Sequence, residues 1–269
     1  MRQFDVRDTC ARLGIEAVQL PTGEWTYPWL HPKARFCFFL YADILGFSDA
    51  LSGDVARAAT MLRSIQKLAR KLSAVRPTGG GRAARFGYQL AIDTVIFYLK
   101  NVRNVKIARA YDDFLERCGT LYWKALSEHE IMLRGAISAA RDFVAAPEVF
   151  VAPTLPRCYD IEKMQDWAGI GVDVNNITLA AGPMGLPDNI VFPSYAVPIK
   201  GNPIGMGYML NPAMSRVTKA SGKKPSVSKV IERLKVNIGK DELPGTAKTK
   251  VENTIKYLEQ CRAFQDGAW

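Results

Sequence analysis

The chain has 269 residues, of which 48% are hydrophobic and 23% charged, as expected for a soluble globular protein with a sizeable core. No apolar run approaches the ~20 residues of a membrane span, and the polar residues 1–5 do not resemble a signal peptide, so we expect a cytoplasmic protein without a membrane partner. Five scattered cysteines without a CxxC pair, and only two histidines, argue against a disulfide framework and a zinc site.

The formal net charge of +10 favours an anionic partner, and nucleotides, nucleic acids and membrane surfaces all qualify. Lysines and arginines occur in predicted helices and in linkers alike. Charge that is spread in this way is typical of a solvated surface that also steers small anions. The sequence therefore predicts an anionic ligand but no dedicated nucleic-acid binding.

The first part of the chain divides into an arm, a strand and a helix. Residues 1–34 contain three prolines and several aromatic residues, which indicates an N-terminal arm. Residues 36–43 form an apolar, aromatic run typical of a buried strand, and Asp43 stands where this strand meets a glycine turn. Apolar residues at helical spacing predict an amphipathic helix over residues 49–74.

A hairpin is predicted next, because two apolar runs within residues 86–99 are separated at Asp93 and Thr94. If this hairpin pairs beside the first strand, Asp43 and Asp93 meet at one edge of the sheet. Two facing carboxylates repel each other unless a divalent cation neutralises them, so the pair indicates metal-assisted phosphoryl chemistry. The alternative is that each aspartate only forms a turn or a cap.

The remaining pattern gives the fold class. A helix is predicted over residues 102–127, a strand over 131–138, a helix over 157–167 and a short strand over 170–173. The order predicts an α+β protein with a ferredoxin-like βαββαβ core and an αβ extension. Short extended pieces and helices at 226–238 and 246–264 follow. The predicted boundaries are 1–34 for the arm, 35–175 for the catalytic domain and 176–269 for a C-terminal elaboration.

Several sequence blocks resemble class III nucleotide cyclases. Tyr41–Ser48 resembles the D-I-x-G-F-[ST] signature of that family, and residues 92–97 and 133–138 resemble its second-metal hairpin and its RGAI strand. Residues 159–170 are similar to a stretch of one branch, the pyrimidine cyclases of the Pycsar antiphage defence system. The resemblance extends over roughly residues 36–210 and occurs in the family's order.

The resemblance implies a two-metal site that holds Mn²⁺ or Mg²⁺. It implies that Asp43 and Asp93, with the carbonyl of Ile44, are the metal ligands, and that Arg134 contacts the triphosphate as a further catalytic residue. The N–H groups that begin the helix after the first strand are expected to hold the terminal phosphates. These substrate-binding groups belong to Leu45, Gly46, Phe47 and Ser48.

Two departures from the family pattern bear on the substrate. Purine cyclases of this class usually have a lysine four residues before the second aspartate, where this chain has Gln89. Glutamine both donates and accepts, as a pyrimidine edge requires, although a strand glutamine can also simply face solvent. The family's transition-state asparagine and arginine would fall near Pro156 and Asp160, and neither side chain can replace them.

The expected function is a uridylate or cytidylate cyclase that converts UTP or CTP into its 3′,5′-cyclic monophosphate and pyrophosphate. The resemblance further implies a homodimer with composite sites, and a separate effector protein activated by the cyclic nucleotide during antiviral defence. The alternatives are a purine cyclase, and a non-catalytic basic module that binds nucleotides or RNA on the same fold.

Overall fold

The computed structural model describes residues 6–12, 16–27, 35–103, 107–146, 149–182, 191–199, 202–211, 227–238 and 245–265. The short elements α1 (Val6–Arg12), β1 (Val18–Gln19) and β2 (Trp25–Thr26) come first. The core elements are β3 (Phe36–Ile44), α2 (Phe47–Gly53), α3 (Val55–Ser73), β4 (Arg85–Ala91), β5 (Thr94–Val102), α4 (Ile107–His129) and β6 (Leu133–Ala140). Then come β7 (Val144–Ala145), β8 (Phe150–Val151), α5 (Leu155–Met164), β9 (Ile170–Val172), α6 (Val174–Ala181), β10 (Val191–Ile199), β11 (Asn202–Leu210), α7 (Val227–Ile238) and α8 (Gly245–Gln265).

A seven-stranded sheet in the order β10-β11-β9-β6-β3-β5-β4 organises the molecule. The central strand β3 pairs antiparallel with β5 on one side and with β6 on the other, and β4 pairs antiparallel with β5. With α3 and α4 as the two crossovers, these four strands have the split βαβ order of a ferredoxin-like core. Strand β9 extends the sheet parallel to β6. The predicted α+β class and βαββαβ core are confirmed.

Both faces of β3 are covered, which explains its continuous apolar sequence. Alternate residues such as Phe38 and Leu40 point into the main core beneath α3 and α4. The intervening residues Cys37 and Phe39 point to the opposite face, into a smaller cluster with Phe150 and Cys158. Asp43 continues this second alternation, so it lies on the face away from α3 and α4.

The helices differ from the predicted ones at their boundaries. The helix predicted over residues 49–74 is divided at Asp54, whose extended backbone ends α2 and whose carboxylate accepts the N–H of Arg57 at 3.0 Å to begin α3. The helix predicted from residue 102 begins at Ile107, because Val102 still pairs with Phe36 in the sheet. Residues 150–151, for which no element was predicted, form β8 and pair with β7.

The C-terminal elements pack against the same core as residues 35–175. Trp167 makes an edge-on contact with Tyr257 of α8, with ring centroids 4.4 Å apart, and the Ala168 N–H donates to Thr254 Oγ1 at 2.9 Å. Strand β11 joins the main sheet through β9. None of the helices in these described ranges is both long and apolar enough to cross a membrane.

Candidate active site

The two predicted metal ligands, Asp43 and Asp93, lie together at one end of the central strands. Asp43 stands opposite Thr94 on β5, and the Ile44 N–H donates to the Asp93 carbonyl at 2.9 Å. The Asp93 carboxyl lies close enough to the Asp43 carboxyl to raise its pKa. The expected convergence of these side chains at one sheet edge is therefore present in the structure.

The turn that presents Asp93 is one residue earlier than predicted. Ala91 pairs with Thr94, so the two connecting residues are Ile92 and Asp93. Ile92 has a φ of 56° and its side chain is 77% exposed. A β-branched residue rarely adopts this left-handed conformation, which costs on the order of 1 kcal/mol. The pairing of β4 with β5 and the hydrogen bond from Ile44 hold the turn in this shape.

The site has an excess of negative charge. Burial, then the neighbouring carboxylates of Asp93 and Glu162, raise the pKa of Asp43 to about 6, and the Arg134 guanidinium only partly offsets them. The Asp43 side chain is 22% exposed, so water reaches it from one side. A divalent cation at that opening would relieve the repulsion between the two carboxylates.

The donor chemistry fits a hard divalent cation that a ligand helps to coordinate. No group of three or more His, Cys, Asp or Glu side chains suited to a metal occurs in the described part of the chain. The protein would therefore supply two carboxylates, with the Ile44 carbonyl as the predicted third donor, and phosphate or water would complete the shell. Oxygen-only coordination of this kind suits Mg²⁺ and Mn²⁺.

Arg134 lies next to Asp43 but is largely enclosed. Its side chain is only 8% exposed, pairs with the buried carboxylate of Glu162, and donates to the Gln165 carbonyl at 3.1 Å. Its Nη2 is 3.7 Å from Asp43 Oδ2. This geometry favours a positioning role, in which Arg134 links Asp43 to Glu162, and the triphosphate contact stays a prediction.

Glu162 is the residue of the candidate site that sequence reasoning missed. It lies on α5, with its side chain 3% exposed, and its carboxylate reaches Arg134 from above the sheet. Residues 159–170 stand out as a block in the sequence, but only the fold shows that this glutamate faces an arginine on β6. A buried charge requires a partner, and the sequence alone does not say which residue that partner is.

The predicted phosphate-binding loop follows β3. Gly46 has a φ of 74° and open space where a Cβ would lie, so glycine is favoured there by backbone conformation. The Leu45 N–H already donates to the Met132 carbonyl at 3.0 Å and is not available to a ligand. The N–H groups of Gly46, Phe47 and Ser48 begin α2, where a helix leaves its first donors without intrahelical acceptors.

Gln89 is on the same face of the sheet as Asp43. It pairs with Ile96, which in turn pairs with Tyr41, two residues along β3 from Asp43. Its Nε2 donates to the Ala146 carbonyl at 2.7 Å. Because an amide oxygen facing a carbonyl oxygen would be repulsive, this contact fixes the orientation of the amide and leaves Oε1 as an acceptor.

The raised pKa of Asp43 predicts how the metal-free protein responds to pH. An acid whose pKa is higher in the folded state lowers the free energy of unfolding at pH values above that pKa. This penalty fades as the pH falls towards the pKa of the unfolded chain, near 4. Asp43→Asn should therefore raise the free energy of unfolding by about 1–3 kcal/mol at pH 7.5, and by nearly nothing at pH 4.

Urea denaturation in EDTA at both pH values measures this difference. If Asp43 and Asp93 hold the ion together, as predicted, adding Mn²⁺ should stabilise the wild type and leave Asp43→Asn unchanged. A variant equally stable to the wild type at pH 7.5 would show that the carboxylates do not repel each other.

No protein-family model matches the chain, and no curated protein is similar to it in sequence. Among solved structures, the chain is similar to the adenylyl cyclase CyaB from P. aeruginosa, with 13% sequence identity and a TM-score of 0.41. The match covers 65% of this chain and 93% of the other.

Proposed function

We propose that the protein is a nucleotide cyclase that acts on a pyrimidine nucleoside triphosphate, releasing pyrophosphate and the 3′,5′-cyclic monophosphate. The observation that carries the proposal is the convergence of Asp43 and Asp93 at the end of the ferredoxin-like core. The order of the sequence blocks that resemble class III cyclases supports it. The Asp43 side chain is 22% exposed, so ions can reach it from solvent.

Each residue of the site has a chemical task in this proposal. Asp43, Asp93 and the Ile44 carbonyl would hold two divalent ions, which supply positive charge to the triphosphate and lower the pKa of the attacking 3′-hydroxyl. The N–H groups of Gly46, Phe47 and Ser48 would hold the terminal phosphates as pyrophosphate leaves. Arg134 keeps the Asp43 carboxylate in place from its buried side.

Gln89 is the proposed base-reading residue. With one amide hydrogen on Ala146, it offers Oε1 as an acceptor and a second hydrogen as a donor. That pair matches N3–H and O4 of uracil, and equally N4–H and N3 of cytosine. Adenine presents the same pair at N6 and N1, so the preference for pyrimidines rests on the resemblance of residues 159–170. The preference for UTP over CTP rests on the frequency of uridylate cyclases in that branch, and no single residue decides it. A purine cyclase is the second candidate.

The proposal includes a homodimer with composite sites, whose product activates a separate effector protein in antiphage defence. Several apolar side chains are exposed on and around the short elements that cover the Asp43 face of the sheet, and a second copy of the chain would bury them. They are Val144, Val149, Val151, Tyr159 and Met164, which are between 39% and 56% exposed. A monomer in sedimentation velocity at micromolar concentration would contradict this part of the proposal.

The decisive assay incubates the purified protein with ATP, GTP, CTP or UTP and Mn²⁺, and measures pyrophosphate and cyclic product. Turnover of UTP or CTP that is lost in EDTA is the expected result. Gln89→Lys should reduce that turnover about tenfold, because the lysine donates but cannot accept from the base. Gln66→Lys, an exposed change on α3, serves as the charge-matched control.

The outcomes separate the candidates. Turnover of ATP alone would support the purine cyclase. No turnover with any triphosphate would support the non-catalytic module, for which the missing asparagine and arginine pair is the specific observation.

A further inference from the structure

The net positive charge of the chain is concentrated in one segment. Residues 55–111 contain twelve Lys or Arg and a single acidic residue, Asp93. The rest of the chain contains 24 Lys or Arg and 25 Asp or Glu, so it is almost neutral. This excess within one segment requires an explanation of its own.

Much of this charge lies on one side of α3, the 19-residue helix that packs on the main core. The helix buries Ala58, Ile65, Leu68 and Ala69 against the core. Its exposed cations are Arg57, Arg63, Lys67, Arg70 and Lys71, which we call the basic face. Four of them, from Arg63 onward, lie on the side of the helix opposite the buried stripe.

No described residue neutralises the basic face. Helix α3 contains no acidic residue, and within the described residues none of its five cations forms an ion pair. Other ion pairs on the described surface, such as Lys124 with Glu128 at 2.9 Å, show the usual arrangement. Unpaired cations on one helix repel each other at i,i+4 spacing, so an external anion would stabilise them.

The proposed cyclase site does not account for this charge. The basic segment continues beyond the C-terminal end of α3 through exposed Arg76 and Arg82 to Arg85, the first residue of β4. Arg85 pairs with Lys100, six residues along β4 from the turn that carries Asp93. At about 3.3 Å a residue, this end lies roughly 20 Å from the carboxylates. A triphosphate bound at Asp43 cannot reach it.

We propose that the basic face of α3 binds the phosphate backbone of double-stranded nucleic acid without reading its sequence. An α-helix of 19 residues is about 28 Å long, and a duplex presents one charge about every 1.7 Å of its axis, so several phosphates face the helix at once. Arginine, which supplies three of the five cations, matches phosphate with two parallel N–H donors.

The composition of α3 favours a nucleic-acid duplex over a single strand and over a lipid bilayer. The helix contains no aromatic residue, so it has nothing on which the bases of a single strand could stack. Its apolar side is buried in the core and cannot enter a lipid bilayer, as an amphipathic membrane helix would. Phosphate contact alone remains, which is how proteins bind duplexes without sequence preference.

The test measures fluorescence anisotropy of a duplex of about 24 base pairs titrated with the full chain between about 50 and 200 mM salt. The wild type should bind with a Kd of about 10⁻⁵ M or lower at the low salt, and log K should fall with log salt with a slope of about −4. The variant Arg63→Gln/Lys67→Gln/Arg70→Gln should bind at least about tenfold more weakly, with a slope about 3 units smaller.

The matched control removes three exposed cations from α8, as Lys248→Gln/Lys256→Gln/Arg262→Gln, and should retain the wild-type Kd within about twofold. An equal loss in this control would overturn the proposal, since net charge alone would then explain binding. So would wild-type binding only to phosphatidylcholine vesicles with about 30% phosphatidylserine. Asp43→Asn should bind the duplex as tightly as the wild type does, because Asp43 is not part of the basic face. Loss of cyclase activity would therefore not affect this test. Circular dichroism verifies that each variant is folded.

Discussion

Replacing Asp43 or Asp93 with asparagine is expected to reduce kcat/KM for cyclisation at least about 1,000-fold, equivalent to roughly 4 kcal/mol of transition-state stabilisation. No group of three or more candidate metal-ligating side chains occurs among the described residues, so we expect no neighbour to compensate for the loss of either aspartate. Asparagine keeps the shape but not the charge. The measurement is pyrophosphate release with UTP and CTP over a range of Mn²⁺ concentrations.

The fold should survive either change, because the substitution removes repulsion rather than a contact that the fold requires. Asp54→Asn is the matched control, since Asp54 is a carboxylate that caps α3 and asparagine caps a helix equally well. It should retain full activity. Full activity in Asp43→Asn, or loss of its far-ultraviolet circular dichroism, would mean that the aspartate is structural and that the proposed chemistry is wrong.

Local sequence rules were sufficient for the core of the fold. Strand β3 is apolar at every position up to Asp43, and the hairpin has a two-residue connection, so alternation and turn chemistry locate both aspartates. The sequence does not determine whether the hairpin pairs beside β3. The structure shows this pairing, with Asp43 opposite Thr94.

Boundaries that depend on tertiary contacts were not predictable in the same way. The hydrophobic period runs through Asp54 without interruption, and only the cap formed with Arg57 shows that one predicted helix is two. Likewise, Val102 has a helix-compatible sequence context but is held in β5 by its pairing with Phe36. In both places a specific contact decides between conformations that local propensity alone would allow.

The side-chain contacts on the buried side of the site also could not be predicted from the sequence. Arg134 and Glu162 are 28 positions apart, and the residue types alone do not indicate that they meet. Gln89 could have faced solvent, and its contact with the Ala146 carbonyl depends on the short β7–β8 hairpin crossing that face. Side-chain pairs between distant elements therefore had to come from the structure.

Glu162→Gln is expected to lower the free energy of unfolding by about 3 kcal/mol, which corresponds to a fall in Tm of roughly 6–12 °C for a chain of this size. The change leaves the Arg134 guanidinium buried, with Asp43 at 3.7 Å as its nearest remaining carboxylate. A buried charge that loses the partner in direct contact with it costs far more than the net contribution of the pair itself. Thermal and urea denaturation measure the loss.

A surface pair gives the contrast that identifies burial as the cause. Glu128 pairs with Lys124 at 2.9 Å, but its side chain is 50% exposed, so Glu128→Gln should cost less than about 1 kcal/mol. Replacing both buried partners, as Glu162→Leu/Arg134→Met, should recover most of the lost stability, because two apolar side chains need no compensation. A Glu162→Gln protein as stable as the Glu128→Gln protein would show that Arg134 is not held by Glu162. Arg134 would then have no anchor on α5, and the group that positions Asp43 would have to lie elsewhere.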